Sequence, residues 1–237
     1  WAVVIIQFGT ALGRWGAIAG GTDADGFAAK FLLLAVFYYL LGCFQGSVEA
    51  LRRVQELTHF SDFVIGHSHF TVFGTVVLGA VGSMYYVWPR ITGRRLWNAR
   101  LASWHFWLTV SGSSLMFMGL IAQGFIQGSM LENGANFIDS VVEMKPWWVA
   151  RTLAGATMDI GFILMVINFI LTARHGAPFV ETAQDAALQA RPAGEERRIL
   201  SRPSGVTVVA GMGFFFFAVM VQGILPSLVP QTNTSKV

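Results

Sequence analysis

Charge is what this sequence has least of. Aspartate, glutamate, lysine and arginine make up 12% of its 237 residues, against about a quarter in soluble domains. With 54% hydrophobic residues besides, the chain lacks the charged surface an ordinary soluble domain needs. Cysteine is nearly absent as well. Cys43 stands alone, so no disulfide framework exists. A strong basic excess is also missing. The formal charge is +3 and the arginines lie mostly in loops, which leaves no case for nucleic-acid binding. The sequence reads without a signal peptide, opening on "WAVVIIQFG", already inside an apolar run. It therefore reads as a fragment of a longer protein.

What the chain does have is length of apolar sequence. Six blocks stand out, Trp1–Trp15, Ala28–Ala50, Ser61–Trp88, Leu101–Met130, Trp147–Thr172 and Gly205–Val229. Most approach or exceed the roughly 20 residues that cross a bilayer. In hydrocarbon every backbone N–H and C=O needs an internal partner, and continuous runs without alternation satisfy it as helices. The expected fold is all-α, a polytopic membrane helix bundle of about six transmembrane helices. "PRITGRR" and the tract "ARHGAPFVETAQDAALQARPAGEERRILSRP" hold most of the arginines, whereas "ENGANFIDSVVEMK" is net acidic. Positive charge marks the cytoplasmic side. The third block then enters from the outer face, with Arg52 and Arg53 outside as a counter-vote. The polar tract from Arg174 to Pro203 reads as a linker between residues 1–172 and a last segment, 205–237.

"SDFVIGHSHFTVFG", residues 61–74, sets two histidines one residue apart inside an oily run. On an α-helix, positions i and i+2 differ by about 200°. His67 and His69 therefore face nearly opposite sides and cannot chelate one ion, which needs i, i+3 or i, i+4 spacing. Two separate haem irons would each take one such imidazole. The alternative is a pair hydrogen-bonded to neighbouring helices or lining a water cavity. His59 and Asp62 lie one to two turns outward, placed either for haem propionates or, with Ser61, as an interfacial helix cap.

"THFSDFVIGHSHFTVFG", "MYYVWPRITGRRLWNARLASWHFWL", "FYYLLGCFQG", "AQGFIQGSM" and "SVVEMKPWWVARTLAG" together resemble the C-terminal half of subunit I of haem-copper oxygen reductases. They are most similar to the cbb3-type cytochrome c oxidases, over roughly residues 1–172. The resemblance implies that His67 is the proximal ligand of a high-spin haem b and His69 an axial ligand of a low-spin haem b. It places His59 and Asp62 near the propionates and Tyr39 on the proton-uptake route. Gln45 departs from the family, which has a glutamate there bonded to the proximal histidine, and Gly42 and Cys43 replace small hydroxyl residues. "GVTVVAGMGFFFFAVMVQGILPSLVPQ" resembles the membrane anchor of subunit II, which would make residues 173–204 a cytoplasmic fusion joint. No C-x-x-C-H attaches a c-type haem.

The copper ligands, the second low-spin haem ligand and the cross-linked tyrosine belong to earlier helices of the family. Copper is therefore expected from ligands outside this chain, on the remaining part of subunit I. Cytochrome c-type subunits are the other expected partners, with membrane lipid around them. The implied function is a respiratory terminal oxidase component of the bacterial cytoplasmic (inner) membrane, passing electrons from cytochrome c through the low-spin haem to an oxygen-reducing haem–copper site with proton translocation. Nitric oxide reductase of the same superfamily is the alternative that Gln45 keeps open. A non-catalytic membrane subunit or metal transporter is a third, for which Glu49, Asp159 and His105 are the few polar residues to hand. Arg151 is placed either to snorkel to the interface or to reach a propionate, and Asp159 to be protonated or paired. His105 reads as structural and His175 as a solvated loop residue.

Overall fold

A computed structural model describes residues 15–179, together with Phe8, Gly9 and Gly13. The apolar block at 205–229, the linker at 180–204 and most of the block at 1–15 lie outside the described residues. Contacts divide the chain into Trp1–Val180 and Glu181–Val237, and the described helices all belong to the first unit.

Among the described residues the chain is all helix, with one isolated bridge joining Arg94 to Pro178. Short helix α1 (Trp15–Gly20) leads into α2 (Ala24–Glu49), and α3 (Arg52–Thr58) follows. The histidine-bearing α4 runs Asp62–Thr92, α5 runs Ala99–Glu132, short α6 is Phe137–Glu143, and α7 is Lys145–His175. Four of these, α2, α4, α5 and α7, are long and apolar enough to cross a membrane. They coincide with the four middle blocks of the sequence, each reaching past its apolar run at one end or both. Asp23 accepts from the Gly26 amide at 2.8 Å to start α2. Asn98 accepts from Arg100 and Leu101 at 2.8 and 3.3 Å to start α5. Gly93, at φ 63°, stops α4 in the left-handed conformation that only glycine enters freely.

Helix α4 packs between α2 and α5, and α5 packs in turn on α7. Small residues set the closeness, as they do where lipid provides no hydrophobic drive for helix association. A Cβ on Gly112 would lie 2.6 Å from the Met158 side chain and 2.7 Å from the Ala154 carbonyl of α7. Gly124 of α5 sits directly against the Phe63 backbone of α4. Aromatic rings fill the space between: Phe31 lies 5.6 Å from Tyr85 and 4.8 Å from His105, and Phe117 lies 4.8 Å from Phe70. His105 is fully buried with Tyr85 Oη 3.0 Å from its Nδ1.

Helix α4 is not uniform. It is α-helical over Asp62–His69, a π-helix over Phe70–Val77, and α-helical again over Leu78–Thr92. At the change of pitch the Thr71 hydroxyl lies within reach of the His67 and Ser68 carbonyls at 3.3 and 3.0 Å, competing with the backbone ladder there. Gly74, within the wide turns, meets Tyr38: a Cβ there would fall 2.8 Å from that of Tyr38. π turns of this kind are rare and concentrate at functional positions.

Candidate functional site

The site begins where α3 turns into α4. Ser61 caps the new helix, its hydroxyl oxygen accepting from the Phe63 amide at 3.3 Å. The Asp62 amide, also left without a partner in the first turn, donates to Gln127 Oε1 on α5 at 3.1 Å. The Asp62 carboxylate is held by the same helix: Gln123 Nε2 donates to Oδ2 at 2.7 Å. Gln123 and Gln127 are buried and one turn apart, so one face of α5 grips both ends of Asp62. His59 stays exposed at the end of α3, its Nδ1 2.6 Å from Gln55 Nε2 and its ring edge-on to Phe60. Next to it, Arg53 pairs with Glu132 at 2.6 Å and with Glu56 at 3.4 Å, while Arg52 pairs with Glu56 at 3.0 Å. The Glu132 and Glu56 carboxylates hold the Arg53 guanidinium even more firmly protonated than usual. Both arginines that argued against the membrane orientation are thus balanced locally by acids.

His67 and His69 lie within the α-helical part of α4, so the half-turn between them is kept. His67 turns to α2. Its ring covers Gly46, where a Cβ would come within 2.9 Å of Cε1 and 3.3 Å of Nε2. Its Nδ1 is buried without a hydrogen bond, 3.9 Å from Glu49 Oε2. Gln45, one turn before Glu49, has both amide atoms buried and unpartnered. His69 turns elsewhere and is half-buried. Its Nδ1 lies 2.7 Å from the Ile65 carbonyl. Only an N–H can meet a carbonyl there, so in the neutral ring the proton sits on Nδ1 and Nε2 keeps its lone pair. That is how a ligating imidazole is oriented by the group behind it.

Tyr39 and Tyr38 separate sharply. Tyr39 is exposed on α2 with its hydroxyl beside the Cys43 thiol. Tyr38 is buried, its hydroxyl 3.0 Å from Ser113 and 2.9 Å from Ser114 on α5. Asp159 is exposed on α7, Arg151 is half-buried on the same helix, and His175 ends it, exposed. Among the described residues no three His, Cys, Asp or Glu side chains converge on one point as a metal cage. The structure therefore brings together Asp62, Gln123 and Gln127 on one side, and His67, Gln45, Gly46 and Glu49 on another. Gln123, Gln127 and Glu49 gave no sign of these roles in the sequence beyond being polar in apolar helices. The i, i+4 repeat of glutamine followed by glycine, Gln123–Gly124 and Gln127–Gly128, is the pattern that could have found the first two.

Residues 2–158 match the family model described as cytochrome c and quinol oxidase polypeptide I. The chain belongs to this family, subunit I of the haem-copper oxidases. It is 30% identical over 168 residues to the cbb3-type cytochrome c oxidase subunit CcoN1 of Stutzerimonas stutzeri, covering 68% of this chain and 35% of that one. A cytochrome c oxidase subunit 1 homolog, bacteroid, of Bradyrhizobium diazoefficiens is 28% identical over 197 residues, 80% of this chain and 35% of its own. Cytochrome c oxidase subunit 1 of Rhodobacter capsulatus is 28% identical over 182 residues, 73% of this chain and 33% of its own. The chain thus spans about a third of the length of these relatives. The four apolar helices are accordingly those of a membrane protein.

Proposed function

We propose that this chain forms one wall of the haem pocket of a cbb3-type-like terminal oxidase in the bacterial cytoplasmic membrane, with His69 an axial ligand of the low-spin haem and His67 the proximal ligand of the high-spin haem. The observation that carries the reading is the divergence of the two imidazoles together with the commitment of His69 Nδ1 to the Ile65 carbonyl. The residues fit such groups chemically. In the neutral ring Nε2 of His69 is left free to ligate, and the imidazole of His67, packed over Gly46, has no hydrogen-bonding partner on its buried Nδ1. The bound haems, with copper held by ligands outside this chain, would supply the electron transfer and oxygen chemistry. This chain's own part is to hold and orient. The exposed His59 offers a hydrogen-bonding partner for a propionate at the start of α4, and Asp62, clamped by Gln123, does so only with a proton or a cation shared between the two carboxyls. Tyr39 with Cys43 on the outer face of α2 is assigned to proton uptake. Subunit I residues preceding this segment and a cytochrome c-type subunit are the expected partners, and residues 205–237 are assigned as an anchor resembling that of subunit II.

In the assembled complex, His67→Ala should abolish carbon-monoxide binding, and His69→Ala should remove the low-spin haem band. Equal losses from both variants would refute the division of labour. Because Gln45 departs from the oxidase pattern, metal content is the second test: copper supports the oxidase, and iron beyond the haem complement supports nitric oxide reductase.

A further inference from the structure

A ligating imidazole that binds through one ring nitrogen carries its proton on the other, and what accepts that proton sets how strongly the ligand donates. For His67 the second nitrogen is Nδ1, which is buried and makes no hydrogen bond. The carboxylate oxygen facing it is Glu49 Oε2 at 3.9 Å. Glu49 is the last residue of α2, and its side chain is only 12% exposed. A carboxylate that little exposed at the end of a membrane span needs a partner.

Gln45 stands one turn earlier on the same face of α2. Its amide is buried, yet both its oxygen and its nitrogen lack partners. It is not engaged with the imidazole. The chain therefore has an amide where the resemblance expects the acid, and an acid one helical turn further along, aimed at the correct ring atom.

We propose that Glu49 is the positioning residue of His67, its carboxylate accepting the Nδ1–H proton in the role the resemblance gives to position 45. The assignment rests on the reading of His67 as a haem ligand. Closing the 3.9 Å gap to the 2.7–2.9 Å of a charge-assisted bond needs a shift of about 1 Å. A glutamate side chain at a helix terminus makes such a shift by rotating its outer torsions, with no backbone change. Gly46 makes the approach feasible, because with no Cβ there the Nδ1–Cε1–Nε2 edge of the imidazole comes close to α2.

The test uses the full oxidase complex and two readouts that activity alone would not give: the iron–histidine stretching band of the ferrous high-spin haem by resonance Raman after carbon-monoxide photolysis, and the midpoint potential of that haem. Glu49→Gln removes the anionic acceptor, so the band should move to lower frequency and the potential should rise, with haem content retained. Glu49→Asp, which keeps the charge but shortens the reach, should shift both in the same direction by less and guards against a misfolded Gln variant. The double variant Gln45→Glu with Glu49→Gln, which returns the acid to the position the resemblance gives it, should restore both readouts. A wild-type band and potential in Glu49→Gln overturns the proposal. Carbon-monoxide binding that survives His67→Ala would instead overturn the ligand assignment beneath it, so the two failures are distinguishable.

Discussion

Replacing Gln123 by leucine preserves the size of a side chain that is 1% exposed and deletes its amide. What is lost is the 2.7 Å bond to Asp62 Oδ2, a length typical of a charge-assisted contact. Bonds to charged groups contribute about 1.5–3 kcal/mol in water-soluble proteins, but interhelical bonds in membranes average only about 0.6 and reach about 1.7. Burial of the donor and the charge on the acceptor place this one near the top of the membrane range. One effect acts in the opposite direction. Gln123 Oε1 is buried and unpaired, and leucine removes that cost. A loss of about 1 kcal/mol is therefore expected for Gln123→Leu. The cleaner quantity is the coupling in a double-mutant cycle with Asp62→Ala, expected at about 1–1.7 kcal/mol. Gln127→Leu, which removes the acceptor of the Asp62 amide, should still weaken the fold in the Asp62→Ala background, because the amide remains. Unfolding of the purified complex in mixed micelles, driven by SDS and followed by circular dichroism, measures each value. A coupling energy below about 0.3 kcal/mol, the scatter expected of independent sites, would refute the clamp.

Three further outcomes arise from the packing. Gly124→Val forces a branched side chain into the backbone of Phe63 and should cost about 1–3 kcal/mol, lowering the melting temperature and loosening α4 from α5. Tyr85→Phe strips His105 Nδ1 of its 3.0 Å partner and should cost about 1–3 kcal/mol, because the imidazole is left buried and unpaired; thermal denaturation reads this directly. Glu132→Gln breaks the pair with Arg53, but both side chains are largely exposed and such pairs contribute little. Its melting temperature should equal that of the parent at physiological salt, and a clear drop would show that α3 is anchored there.

The four spans among the described residues were legible because bilayer thickness is written into the chain as apolar length. The exact ends were not, since they depend on single capping residues, Asp23 and Asn98, that lie outside the apolar runs. Lys30 shows why charge alone misleads: it stands inside α2, yet its ammonium reaches back to the Gly21 carbonyl at 2.7 Å. The opposed facing of His67 and His69 was legible from helical rotation alone. Which face of α2 is interior was not. Helices apolar all round carry no stripe to read, so nothing in "FYYL" tells that Tyr38 is buried and Tyr39 exposed. The holders of Asp62 lie 61 and 65 positions away, at Gln123 and Gln127, and only tertiary packing joins them to it.

Least legible was the π segment, and it decides how α4 serves two masters. Residues Asp62–His69 must keep the histidines on their two faces, while Leu78, Val81 and Tyr85 must face the core. Along a single α-helix each added residue turns everything beyond it by about 100°. A π turn closes i→i+5 bonds and takes one residue more than an α turn, so Phe70–Val77 absorbs a surplus residue without disturbing either end. Deleting Val72, which is 60% exposed, should therefore convert the wide turns towards regular α-helix and leave both ends on their faces. Deleting Val87 from the α-helical part should not be tolerated. It rotates Trp88 away from the Phe169 carbonyl it reaches at 2.9 Å and Arg90 away from Asp25 at 2.8 Å. The comparison is made on assembled complex, by yield and melting temperature. If the Val72 deletion is as damaging as the Val87 deletion, the π segment is not a register device, and the facing of the histidines must be fixed by α2 and α5 alone.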